Sequence, residues 1–178
     1  MHYADIKQYD VANGPGVRVS VFVSGCTHYC KGCFNEEAWD FNYGTPFTEE
    51  TIQTVLKYME PSYVKGLTVL GGEPMEPQNQ PAVLALLKKV KEAYPEKPVW
   101  MFSGYDFEKD ILGHMWEEIP ETKEILSFLE VLVDGEFVEE LKNLSLRFKG
   151  SSNQRTILVQ ESLSAGQVVL YDLEKPYH

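Results

Sequence analysis

Apolar positions along the chain follow two rhythms. Val17, Val19, Val21 and Val23 alternate with Arg18, Ser20 and Phe22, which predicts a strand over Val17–Val23. Thr48 followed by Glu49 and Glu50 marks a helix start. Ile52, Val55, Leu56 and Met59 then repeat at helical spacing, and Pro61 ends the run. LTVL at 67–70 reads as a short buried strand ending in two glycines. Val83, Leu87, Val90 and Tyr94 predict a second amphipathic helix, stopped by Pro95. VWMF, Val99–Phe102, is a third strand, and a helical stretch follows from about Asp106, broken near Pro120. LEVLV at 129–133 is a fourth strand. Segments 144–148, 156–160 and 167–171 read as further strands.

Strands alternating with helices imply an α/β fold with a parallel sheet. The chain, at 178 residues, falls short of the roughly 250 residues of an eight-unit barrel. An open, partial (βα) barrel of about five or six units is therefore the expectation, with a flat doubly wound sheet as the alternative. No repeat or linker stands out, so residues 1–178 read as one domain.

Composition narrows the function. At 43% hydrophobic and 24% charged residues, the chain belongs with ordinary globular proteins. Its formal net charge of −11 argues against binding a phosphate backbone. No stretch approaches the roughly 18 apolar residues of a membrane helix, and the first residues lack the pattern of a secretory signal. A cytoplasmic protein with neither membrane nor nucleic-acid partner is expected. The stretch 106–140 holds twelve carboxylates against two lysines, as either a solvated face or a docking surface.

The three cysteines, Cys26, Cys30 and Cys33, form one C-x3-C-x2-C run just after the first predicted strand. An odd, clustered set does not make a disulfide framework and points to a metal site. Thiolates suit iron–sulfur clusters or zinc. A four-iron cluster normally takes four thiolates, so three would leave one iron open. A zinc site completed by His28 is the other reading, and His2, His114 and His178 supply no second ligand pair for it. Gly71-Gly72-Glu73-Pro74 follows the 67–70 strand, Ser103-Gly104-Tyr105 the third and Asp134 the fourth. Each motif thus sits at the carboxyl end of a predicted parallel strand, where α/β proteins bind ligands. The stretch from Gly150 through Asn153 and Gln154 to Arg155 is either a turn or a further binding element.

The cysteine run followed by Phe34 resembles the signature of radical S-adenosylmethionine enzymes, and residues 71–74 resemble that family's GGEP element. The resemblance implies a 4Fe–4S cluster held by Cys26, Cys30 and Cys33, the catalytic and metal-binding residues. It also implies S-adenosyl-L-methionine on the open iron. The cofactor-binding set it implies is Gly32, Phe34, Asn35, Gly71, Gly72, Glu73, Pro74, Ser103, Gly104 and Asp134. Related activating enzymes often carry a lysine two residues after the acidic position, where this chain has Glu136. The segment from Asn13 to Arg18 resembles one in glycyl-radical activating enzymes. The Cys33-Phe34-Asn35 run with Trp39, the compact length and the 150–155 stretch resemble those that activate anaerobic (class III) ribonucleoside-triphosphate reductase. The implied activity is an oxidoreductase one. A flavodoxin-type donor reduces the cluster, and S-adenosylmethionine is cleaved to a radical that takes hydrogen from a glycine of the reductase. Alternatives are activation of another glycyl-radical enzyme (pyruvate formate-lyase type), a radical enzyme acting on a small molecule, and a zinc-stabilised interaction module.

Overall fold

A computed structural model describes residues 1–173, so His178 lies outside the described residues. In chain order its elements are β1 (His2–Asp10), β2 (Val17–Val23), β3 (Thr45–Pro46), α1 (Glu49–Met59), β4 (Val64–Gly71), α2 (Gln80–Ala93) and β5 (Val99–Phe102). A π-helical stretch, Phe107–Met115, continues into the turn α3 (Trp116–Glu118). Then come α4 (Pro120–Ser127), β6 (Val131–Asp134), β7 (Arg155–Leu158) and α5 (Val159–Ala165). The strands form one mixed, open sheet in the order β3-β1-β2-β4-β5-β6-β7.

Register explains why the core is continuous. Val21, Val69, Met101, Leu132 and Ile157 stand side by side across β2, β4, β5, β6 and β7, and all five are fully buried. With Val19, Val23, Leu67 and Val99 they form one face of the sheet. Every helix packs there: Ile52, Val55 and Met59 of α1, Val83, Leu86, Leu87 and Val90 of α2, Ile125 and Leu126 of α4, and Val159 of α5. Because side chains alternate across a strand, Arg18, Ser20, Phe22, Thr68, Leu70, Trp100 and Phe102 point to the other face. Among the described residues no helix joins the apolar cluster of Trp100, Val131 and Val133 on that side. A doubly wound sheet would carry helices on both faces, so that alternative is excluded.

Four strands, β2, β4, β5 and β6, run parallel, fewer than the expected five or six units. A parallel strand needs a long crossover, usually helical. Between β6 and β7 the chain offers only a loop with one 3-10 turn at Glu139–Leu141, and β7 accordingly runs antiparallel to β6. The strand expected at 144–148 does not form, because β7 already occupies the edge of β6 where it would pair. The strand expected at 156–160 ends at Leu158, where α5 begins. Segment 167–171 forms no strand; it meets the sheet at the isolated bridge between Leu170 and Ile157 and through the Tyr171 ring on Trp100. Strand β1 has no counterpart in the sequence reading. It lies near the sheet edge, exposes alternate residues and lacks a run of β-branched side chains.

Arg18 anchors the face away from the helices. It is fully buried, and its guanidinium donates to Thr68 Oγ1 at 2.9 Å and to the carbonyls of Pro15, Leu67 and Pro98 at 3.0–3.1 Å. One side chain thus joins β2, β4 and the entry to β5. Removing it strands several buried acceptors, each costing on the order of 1–3 kcal/mol. Arg18→Ala should destabilise the fold by about 3 kcal/mol or more, read as a lower urea midpoint. A midpoint equal to the wild type would show that the anchor is dispensable.

Candidate functional site

The cysteine loop leaves β2 through Ser24 and Gly25. Gly25 has φ +102, and a Cβ there would fall 2.2 Å from the Phe41 ring, so only glycine fits. Gly25 and Cys26 donate from their amides to the carbonyls of Ala38 and Trp39, folding the loop back on the following turn. Cys26 is buried and Cys30 and Cys33 are half-buried; all three are free thiols. Burial pushes the Cys26 thiol up to about 12, with Glu73 and Glu76 adding to it. It is therefore protonated at neutral pH, and binding a soft metal there must release its proton.

The Gly71-Gly72-Glu73-Pro74 turn at the end of β4 is stitched to this loop backbone to backbone. The Gly72 amide donates to Val23 O and the Glu73 amide to Gly25 O, both at 2.8 Å. Such closeness leaves no room for side chains: a Cβ on Gly72 would fall 2.7 Å from Gly25 O, and one on Gly71 2.5 Å from Val23 O. Two residues further along the same turn extend the seam. Glu76 accepts from the Thr27 amide and hydroxyl at 2.9 and 2.6 Å. Asn79 donates to Ser24 O and Glu73 O.

Glu73 is the hub. Its carboxylate is fully buried and accepts from Met75 N, Ser103 Oγ, Gly104 N and His28 Nε2 at 2.6–2.8 Å. It therefore ties the end of β5 to the end of β4 and to the middle of the cysteine loop. His28 uses its other ring nitrogen on Glu136 at 2.9 Å and packs on Tyr105. Burial alone would depress the imidazole, but the bonds and charges of Glu73 and Glu136 outweigh it and push it up to about 9.

These elements enclose a cleft of about 440 Å³, within the usual size range for small-molecule sites. Cys26, Cys30, Cys33, Phe34, Asn35, Gly71, Gly72, Glu73, Ser103 and Gly104 all contribute to its lining. Gly32, Pro74 and Asp134 do not. Gly32 has φ +74 and supports the turn before Cys33. Asp134 is buried and accepts from Arg155 Nε and Nη2 at 3.1 and 2.6 Å and from Phe107 N at 2.8 Å. The 150–155 stretch is a clamp: Gln154 holds Gly135 O and the amides of Gly150 and Ser151, while Asn153 holds Glu136 O. The acidic stretch 106–140 is spread over several elements. Arg155 meets Glu108, Lys88 meets Glu124, and Lys91 meets Glu130. Glu76 and Asn79 escaped the sequence reading, and Glu136 entered it only as a departure from a lysine, not as a partner of His28. Glu76 and Asn79 follow Glu73 at three-residue intervals, a spacing that carries no message inside a turn.

The donor set fits an iron–sulfur group. Three free thiols meet on one loop at the cleft, and both His28 nitrogens are engaged by carboxylates, leaving none for a zinc ion. Among the described residues no three His, Cys, Asp or Glu side chains converge as on a single metal ion.

Together these features define an α/β protein with a cysteine-lined cleft at the carboxyl ends of its parallel strands. Residues 12–157 match the family model described as a 4Fe-4S single cluster domain. The chain is 36% identical over 156 residues to the anaerobic ribonucleoside-triphosphate reductase-activating protein of Escherichia coli (strain K12), covering 86% of this chain and 96% of that one. The protein of that name from Enterobacteria phage T4 is 39% identical over 155 residues (87% and 92%), and that from Vibrio cholerae 37% over 157 (86% and 96%). The chain belongs to this family of 4Fe–4S activating proteins.

Loss of the hub should be measurable without any cofactor. Glu73→Ala orphans the Ser103 hydroxyl and the Gly104 and Met75 amides and should cost about 3 kcal/mol. Glu76→Ala frees the two Thr27 donors and the Tyr105 hydroxyl, at a less enclosed position, and should cost less in the same thermal melt. The reverse order would refute the hub.

Proposed function

We propose that this chain installs a glycyl radical on an anaerobic ribonucleoside-triphosphate reductase. The observation that carries the reading is the backbone seam between the cysteine loop and the Gly-Gly-Glu-Pro turn. It sets three thiols beside a glycine-lined strand end in one cleft. The names of the relatives and the match to a 4Fe–4S domain point the same way.

In this reading Cys26, Cys30 and Cys33 would hold the cluster and leave a coordination place for S-adenosylmethionine. When bound and reduced, the cluster would supply the electron for cleaving S-adenosylmethionine, the chemistry that hydrogen abstraction from a glycine Cα requires. Gly71 and Gly72 let the cofactor approach bare backbone, whose carbonyls accept from its ammonium group. Ser103 and Gly104, locked on Glu73, offer polar contacts for its ribose or carboxylate. Phe34 and Asn35 border the bound cofactor, Phe34 helping to exclude water. Gly32 and Pro74 shape the two turns. Asp134 acts through Arg155, holding the β6–β7 connection against the cleft. We read the open sheet, with its helices on one face, as a partial (βα) barrel whose inner face is the cleft. A flavodoxin-type protein serves as reductant, and residues 1–178 act as one domain in the cytoplasm. No helix among the described residues is long and apolar enough to cross a membrane.

The test is anaerobic. Reconstituted, reduced protein mixed with S-adenosylmethionine and the reductase should give a glycine-centred doublet in the electron paramagnetic resonance spectrum. Cys30→Ala should abolish it, since two thiolates would leave the cluster misligated. Cofactor cleavage that is indifferent to the reductase would instead favour a small-molecule substrate.

A further inference from the structure

The stretch 144–148, Leu-Ser-Leu-Arg-Phe, has the alternating pattern of a strand but pairs with none. It lies within a loop pinned at its base by the Lys142–Ser151 bridge and by Asn143 N donating to Gly150 O. Leu144, Leu146 and Phe148, at period two, all line the cleft. Leu144 is 87% exposed, a large apolar side chain turned out at the mouth. Phe148 holds a left-handed backbone, φ +59, uncommon for a bulky residue. Among the described residues the amides of Leu144, Arg147 and Phe148 donate to no protein acceptor.

Charge sets this loop apart. In a chain of net charge −11, the segment from Lys142 to Arg155 carries Lys142, Arg147, Lys149 and Arg155 and no carboxylate. Arg155 is committed to Asp134 and Glu108. Lys142 lies over the Phe34 ring and Arg147 over that of Phe148, so two cations flank the apolar row.

We propose that the loop 142–149 is the docking wall for the protein substrate. The occupant is an extended segment of the partner enzyme, with apolar side chains at alternate positions and carboxylates beside them. The segment lies along Leu144, Leu146 and Phe148, and its carboxylates meet Lys142, Arg147 and Lys149. The alternate apolar side chains offer a row along which an extended peptide can lay its own, giving specificity, while the flanking cations give charge complementarity. The wall is continuous with the cysteine side of the cleft through Phe34, over whose ring Lys142 lies at 5.0 Å. A segment seated there would run directly past the three thiols. This deepens the proposed function and rests on it.

Affinity for the reductase, measured by biolayer interferometry, is the readout. Leu144→Asp should weaken binding about tenfold or more. Arg147→Glu should slow association, most visibly at low salt. Because Leu144 is so exposed, Leu144→Asp should keep the wild-type melting temperature. Tyr9→Asp, on an exposed tyrosine of β1 outside the cleft, should bind as the wild type does. Undiminished binding by Leu144→Asp, or a larger loss from Tyr9→Asp, would overturn the wall. A wild-type protein that binds the reductase but yields no glycyl radical would instead overturn the proposed function and leave the wall standing.

Discussion

A single buried carboxylate holds the mouth of this protein together. Glu73 has no access to solvent, so its charge is tolerable only if donors surround it. Met75, Ser103, Gly104 and His28 supply them from three separate pieces of chain. None can shift without exposing the carboxylate to an unpaired burial. The cysteine loop, which has no regular structure of its own, inherits rigidity from this arrangement through His28 and through the Glu73 amide on Gly25 O. A loop that must present three thiols in fixed relation needs such outside support, since its own backbone bonds are few.

The sheet divides the labour. One face is a row of fully buried aliphatic side chains under all the helices, and this supplies most of the hydrophobic stability. The other face can then hold groups a core would reject: the Arg18 guanidinium, the Ser20 and Thr68 hydroxyls and the polar strand ends. Arg18 stays buried because backbone carbonyls of two neighbouring segments accept from it. The anchor at one end of the parallel strands and the carboxylate hub at the other keep their carboxyl ends level. The motifs after β2, β4 and β5 therefore open on one cleft.

What the sequence made legible was whatever is local. The bounds of β2 and β5 and the start of α1 follow from alternation and from Thr48. The latter caps its helix with Thr51 rather than with a glutamate. The cysteine run, the glycine pair and Ser103-Gly104 were visible because each sits directly after a recognisable strand. What stayed hidden depends on partners far along the chain. Asp134 was visible at a strand end, but not its partner Arg155, 21 residues later, which bonds both of its oxygens. Glu76 faces Thr27 across 49 residues. Segment 144–148 has the local pattern of a strand, but the edge it would need went to β7, a competition no window of sequence displays.

Close backbone approach also accounts for how so short a chain builds so crowded a site. Where two loops are joined by side chains, each needs length to reach and packing to fix its rotamers. Here Gly25, Gly71 and Gly72 let main chain meet main chain, and the amides themselves form the seam. The seam costs little side-chain entropy and few residues, but it has no slack. At Gly25, Gly71 or Gly72 even one added methyl would overlap a ring or a carbonyl by several tenths of an ångström or more. Glycine here is thus a condition for bringing thiols and strand end together, and the thiols' own chemistry needs that proximity. A buried cysteine pushed up to about 12 releases its proton to solvent only when a strongly bound cation takes the proton's place on the sulfur.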